Sequence, residues 1–121
     1  MKERCEYCRY PEKIHSGVLH FDHIIPPQHG GEHTADNRAL ACPNCNLRKS
    51  DKISGVDPVT GQTVRLFHPR QDKWDEHFVL QRQTGVIEGL TEIGRATVHE
   101  LGINCSAQVN MRLALIQAEF L

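Results

Sequence analysis

Four cysteines and a handful of polar residues stand at spacings that suit chemistry. Cys5 and Cys8 form one Cys-x-x-Cys, and Cys42 and Cys45 form a second. Two such pairs in one small chain read as a zinc site of four thiolates, whereas a redox pair needs only one. Between them lies Asp22-His23, at the end of the apolar run LHFDHII and just ahead of Pro26-Pro27 and Gly30-Gly31. A core has no use for an acid beside a histidine. Asn37, Asn46 and the basic pair Arg48-Lys49 follow. Imidazole, with its ordinary pKa near 6.5, is suited to accept a proton at neutral pH. A carboxylate plus an amide would bind a hard cation and leave its other positions open. That is the pattern of a catalytic metal, unlike the closed shell of four thiolates.

Each of these residues has a plainer reading when taken alone. Asp22-His23 could be a hydrogen-bonded surface pair, Asn37 a turn residue and Asn46 a helix cap. Arg48 and Lys49 could be a solvated face. Their joint order argues against coincidence. Cys105 stands apart and reads as a buried apolar filler. His29 and His33 flank the glycines and read as loop histidines with no catalytic duty. His15, His20, His68, His77 and His99 have no special context.

The elements that must position these groups are short. Leu19 to Ile25 reads as a strand that the prolines end. Phe21 and Ile25 are expected to face the core. Strict alternation would put Asp22 and His23 on opposite faces, so the strand is expected to end or twist there. Residues 28 to 36 form a polar loop, and Arg38 to Ala41 a second strand. Pro43 suits the first turn of a helix that continues from Cys45 to about Lys52. Beyond it, Asp57-Pro58-Val59-Thr60-Gly61 reads as a turn and Val64 to Phe67 as a strand. Trp74 and Phe78 are anchors spaced i, i+4. Val79 to Arg82 and Val86 to Gly89 suit a hairpin around Thr84-Gly85. Thr91 can cap a helix that runs to Leu101, with Gly102 at its end. A last helix opens at Asn104 or Ser106, with Val109, Leu113, Ile116 and Phe120 near one face.

The stretches "CEYC" and "FDHIIPPQHGGEHTADNRALACPNCNLRKSD" together resemble the HNH nuclease family, whose fold is called ββα-metal. The likeness covers about residues 5 to 52. It rests on both Cys-x-x-Cys pairs, the D-H-I-x-P, the G-G, the D-N and the C-x-x-C-N-x-x-K, all in order. It implies an α+β fold, with a ββα-metal core and structural zinc knuckles over residues 1–53. An α+β extension over residues 54–121 would pack on that core. By this resemblance His23 matches the general base that activates water. Asn37 matches the middle asparagine that orients this histidine through backbone hydrogen bonds. Asp22 and Asn46 match the ligands of the catalytic divalent metal, and the four cysteines match the ligands of a structural Zn²⁺. Where the family motif often ends in histidine, this chain has Asn46. Two oxygen donors favour Mg²⁺ or Mn²⁺. Arg48 and Lys49 are candidate phosphate contacts. More weakly, "PRQDKWDEHF" and "GLTEIGRATV" resemble segments of small stand-alone bacterial HNH proteins.

Bulk properties set limits on the function. Fourteen Lys and Arg against fifteen Asp and Glu give a net charge of −1, so this is no strongly basic DNA-coating protein. With 39% hydrophobic and 6% aromatic residues the core is modest and needs a staple. No apolar run approaches the roughly 20 residues that span a bilayer, and no apolar leader follows Met1. The expected protein is a cytoplasmic, metal-dependent endonuclease whose partner is DNA. The rival is a zinc-stapled module that grips nucleic acid or protein without cutting. A nuclease toxin ranks below both.

Overall fold

The computed structural model describes residues 3–14 and 17–121, so His15 lies outside the described residues. The chain is a mixture of short helices and two-stranded sheets. Strand β1, His20–His23, pairs antiparallel with β2, Arg38–Ala41, in the register His20↔Ala41 to His23↔Arg38. Helix α1, Pro43–Lys49, follows at once. Pro43 sits at its start, where a missing N–H costs nothing. β1 is shorter than the expected Leu19 to Ile25: it ends at His23, and Ile24 and Ile25 separate it from the prolines. Pro26 takes φ −63°, and Pro27–His29 form one turn of 3₁₀ helix.

The glycines after that turn are both needed. Gly30 has φ +88°, a left-handed conformation that costs glycine little. Gly31 has no room for a side chain. A Cβ there would overlap the Ile25 carbonyl and stand 2.9 Å from Asn37 Nδ2. The loop can therefore turn back hard against the end of β1.

The second half is built from two hairpins and two longer helices. Strands β3, Ser54–Val56, and β4, Thr63–Arg65, pair antiparallel. The sequence reading contained β4 but not β3, and Leu66 and Phe67 leave the predicted strand to enter the core. The short helix α2, Trp74–His77, leads into β5, Phe78–Gln81, which pairs with β6, Val86–Gly89. Helix α3, Glu92–Glu100, is capped by Thr91, whose hydroxyl accepts from Gly94 N. Helix α4, Ser106–Gln117, closes the chain.

One apolar cluster draws on both halves. It includes Cys5, Tyr7, Ile24, Ala39, Phe67, Phe78, Ile87, Leu101 and Ile103. Trp74 donates its indole N–H to Tyr7 O at 2.9 Å and stacks at 5.1 Å on Phe78. No helix among the described residues is long and apolar enough to cross a membrane.

Three expectations are corrected. Phe21 faces solvent, at 64% exposure, and Ile24 takes its place in the core. The deepest residue of α4 is Arg112, not the apolar set Val109, Leu113 and Ile116, while Phe120 lies beyond the helix and is half exposed. Cys105 is partly exposed, beside the cavity between β6 and α3, not a buried filler.

Candidate active site

The four cysteines come together. Their sulfurs lie within 4.8 Å of one another, every one of the four is buried, and none is in a disulfide. A tetrahedral ion with bonds of ~2.3 Å sets its sulfurs about 3.8 Å apart. Cys8 Sγ and Cys42 Sγ are 3.5 Å apart, so the set fits zinc. Within each pair the second backbone N–H points at the first sulfur, Cys8 N to Cys5 Sγ and Cys45 N to Cys42 Sγ, both at 3.5 Å. Hydrogen bonds from Cys45, Cys5 and Cys8 draw the Cys42 thiol far below its ordinary value, while the bond to Cys42 pushes Cys8 and Cys45 up. Four buried thiols cannot all ionise without a cation to hold them.

The cluster is joined directly to the candidate catalytic elements. Glu6, between Cys5 and Cys8, bonds β2 twice: its N–H reaches Leu40 O, and its carboxylate accepts from Leu40 N, both at 2.8 Å. Cys42 is the N-cap of α1, and Cys45 lies within the helix. Asn46 is therefore one residue past a candidate zinc ligand.

Alternation along β1 decides where Asp22 and His23 point. Asp22 shares a face with its partner Ala39, which is fully buried. Its carboxylate reaches α1, where Lys49 Nζ stands 3.4 Å from Oδ2. That is longer than a good charge-assisted bond, and Oδ2 has no hydrogen-bond partner although it is buried. The Asn46 amide, on the same helix, forms no side-chain hydrogen bond to the described residues and is half buried. An orphaned carboxylate oxygen and an uncommitted amide are the donors a hard divalent cation needs.

His23 lies on the opposite face, with Phe21 and Arg38. β1 ends at His23, as expected for a strand that must end or twist there. Arg38, the cross-strand partner of His23, sets its guanidinium 5.2 Å from the Phe21 ring. The His23 imidazole meets His33, Nε2 to Nδ1 at 2.8 Å.

Asn37 holds the end of β1. It is 8% exposed. Its Oδ1 accepts from Ile25 N at 2.9 Å, and its Nδ2 donates to Ile25 O at 2.9 Å and Glu32 O at 2.8 Å. Its backbone carbonyl accepts from Ile24 N. With those bonds made, the side chain fixes the two residues after His23 and is not free to bind metal.

Arg48 and Lys49 part company. Arg48 is exposed, with Nε on Asn44 Oδ1 at 3.2 Å. Lys49, expected beside it as a phosphate contact, is turned inward and 1% exposed. Its ammonium donates to His23 O at 3.0 Å and faces Asp22. Burial pulls its pKa down, and Asp22 partly offsets that. The spacing carried a signal for this: Lys49 is four residues after buried Cys45, hence on the same helix face. His33 gave no such signal, because only the folded loop brings it to His23. Among the described residues the four cysteines are the only group of three or more His, Cys, Asp or Glu ligands close enough to share an ion.

Residues 5–52 match the family model described as HNH endonuclease, which places an HNH domain over that segment. No curated protein and no solved structure matches the chain. That description is of a nuclease-type family.

Proposed function

We propose that the protein is a metal-dependent endonuclease that hydrolyses phosphodiester bonds in DNA. The observation that carries this reading is a buried Asp22 oxygen without a hydrogen bond, next in sequence to a braced histidine. Asp22 reaches α1, the helix that also carries Asn46, while His23 is held at the strand end by Lys49 and, through the residues after it, by Asn37. In this reading Asp22 and Asn46 hold Mg²⁺ or Mn²⁺, which would neutralise charge that develops on the phosphate and assist the leaving oxygen. His23 takes the proton of the attacking water. Asn37 and Lys49 fix its backbone. Arg48, exposed on α1, contacts phosphate. Residues 1–53 form the catalytic unit, and residues 54–121 form an extension that packs on it. Four unpaired thiols suit a reducing compartment, and we place the protein in the cytoplasm.

A zinc-stapled module that grips without cutting would need the same four cysteines. It would not need a buried Asp22 oxygen left without a hydrogen bond, or a braced His23. Incubation with supercoiled plasmid and Mg²⁺ or Mn²⁺ decides between the two. Nicked or linear product is expected from wild type, with a loss of about 10²–10⁴-fold for His23→Ala, the usual worth of a general base. DNA retained but never cut under any divalent metal would establish the binding module instead.

A further inference from the structure

We propose that His33 is the positioning residue of His23: it accepts the His23 Nε2–H and so leaves Nδ1 of His23 as the nitrogen that takes the proton from water. This rests on the reading of His23 as the base.

The argument starts from which ring nitrogen is free. His23 Nε2 and His33 Nδ1 are 2.8 Å apart, a good hydrogen bond. The rings meet edge to face, with centroids 4.7 Å apart at 79°. Among the described residues no other group bonds the His23 ring. With Nε2 occupied, His23 can receive a proton only at Nδ1. That requires Nε2 to carry the hydrogen and His33 Nδ1 to accept it. Were His33 the donor, the hydrogen of His23 would sit on Nδ1 and no basic nitrogen would remain. The partner of the second nitrogen selects the tautomer, as it does wherever a histidine base is oriented by a third group.

The loop is built to deliver this contact. Gly31 lets the chain press against Ile25, where a Cβ has no space. Asn37 Nδ2 then bonds both Ile25 O and Glu32 O. Ile25 is two residues after His23, and Glu32 is one before His33. One amide therefore sets the distance between the two histidines.

The step balances simply. A water O–H bond breaks, and its proton bonds to His23 Nδ1. The oxygen bonds to phosphorus as the bond to the leaving oxygen breaks. That oxygen takes a proton from solvent, and His23 later returns its own. Throughout, the hydrogen stays on His23 Nε2 and is donated to His33 Nδ1, which stabilises the imidazolium when it forms.

The test uses His33→Ala, His33→Asn and His33→Gln, alone and with His23→Ala, in single-turnover plasmid cleavage. Nitrogen NMR of the His23 ring in the metal-free protein is the second readout. Asparagine can place an acceptor where Nδ1 stands, and glutamine places it where Nε2 stands. We expect His33→Ala to lower kcat about 10–100-fold, the usual effect of losing such a supporting partner, with KM little changed. His33→Asn should recover part of the loss and His33→Gln should not. Adding His33→Ala to His23→Ala should cost nothing more, because the two act as a unit. NMR should show hydrogen on Nε2 of His23 in wild type and a tautomer mixture in His33→Ala. Wild-type cleavage by His33→Ala, an equal loss in the His23→Ala background, or hydrogen fixed on Nδ1 would each overturn the proposal. Wild-type cleavage by His23→Ala would instead bring down the base assignment itself, and the proposal with it.

Discussion

Among the described residues, the two halves of the molecule each bury one cation almost completely, and they use it differently. In the HNH segment it is Lys49, which reaches out of α1 to His23 O and Asp22. In the C-terminal half it is Arg112 of α4, which donates to Gly85 O at 2.6 Å, Ile103 O at 2.9 Å and Asn104 Oδ1 at 3.0 Å. Arg112 ties a hairpin turn, a loop and a helix together and touches no candidate catalytic group. Lys49 braces the site. The HNH segment commits its buried polar residues to the site and leaves cohesion to four thiols. The C-terminal half commits them to cohesion, with Asp57–Arg95 and Arg65–Asp72 as further ties. A small domain with few aromatics can do the former only if something other than its core holds it together.

The largest effect should follow from removing that something. Cys42 caps α1 and links it to the first knuckle, so Cys42→Ser should cost the HNH segment its fold, since structural zinc supplies folding energy outright. Metal analysis should find one zinc per wild-type chain and less than that in the variant. Trp74, the sole tryptophan, contacts Tyr7 O from the other half, so its fluorescence should shift when the first half comes apart. A variant that keeps wild-type fluorescence and unfolding behaviour without zinc would erase the distinction between the halves.

The buried cations sharpen the comparison directly. Arg112→Met leaves carbonyls at Gly85 and Ile103 without their donor and should destabilise by about 2–4 kcal/mol. Cleavage by the folded fraction should be unchanged. Lys49→Met strands His23 O and Asp22 and should cost less, about 1–3 kcal/mol, because Asp22 keeps some solvent contact. Its cleavage rate should fall even where the protein is folded. Urea unfolding and cleavage, measured side by side, check both. If the two variants lose activity and stability in the same proportion, Lys49 is another structural tie.

What the sequence disclosed follows the same divide. Cysteine spacing marks the zinc cluster because a tetrahedral ion constrains spacing. The hairpin from β5 to β6 and the Thr91 cap of α3 are local signals, and both are where local reading puts them. The β1–β2 pair is also where alternation predicts, but the inward face is the other one. Phe21 points out because Asp22 must face α1, and hydrophobicity alone ranks phenylalanine first for the core. β3 escaped because Ser54–Val56 is three residues with a glycine in the middle and acquires strand form only from β4. Lys49 and Arg112 escaped because charged residues are read as surface, and only tertiary acceptors make their burial tolerable. His33 depends on a loop closure that Gly31 permits and Asn37 enforces, ten residues from the histidine it meets.

The smallest effect concerns pH and belongs to the C-terminal half. Asp57 is fully buried and closes the turn before β4. It accepts from Val59 N and Thr60 Oγ1, both at 3.0 Å, and from Arg95 Nε and Nη2 at 2.9 and 2.8 Å. The guanidinium of Arg95 first, then the turn N–H and hydroxyl, hold its carboxyl well below the usual carboxylate range. A depressed folded pKa means that the unfolded chain binds the proton more readily. The stability this adds is therefore present above the unfolded value of about 3.9 and is lost as pH falls through the folded one. Arg95→Met keeps much of the apolar stem and removes the charge. The urea midpoint of the variant should lie below that of wild type from pH 7 to about pH 5. The gap should narrow progressively below pH 4, as the folded variant takes up a proton on Asp57 that folded wild type still excludes. The HNH segment should sense acid by another route, since its thiolates must give up zinc to take protons. Zinc release by wild type and by Arg95→Met should consequently follow the same pH curve. A gap that stays constant down to pH 2 would remove Asp57 as the acid-sensitive tie, and a shift of the zinc curve by Arg95→Met would show that the two halves do not answer to acid separately.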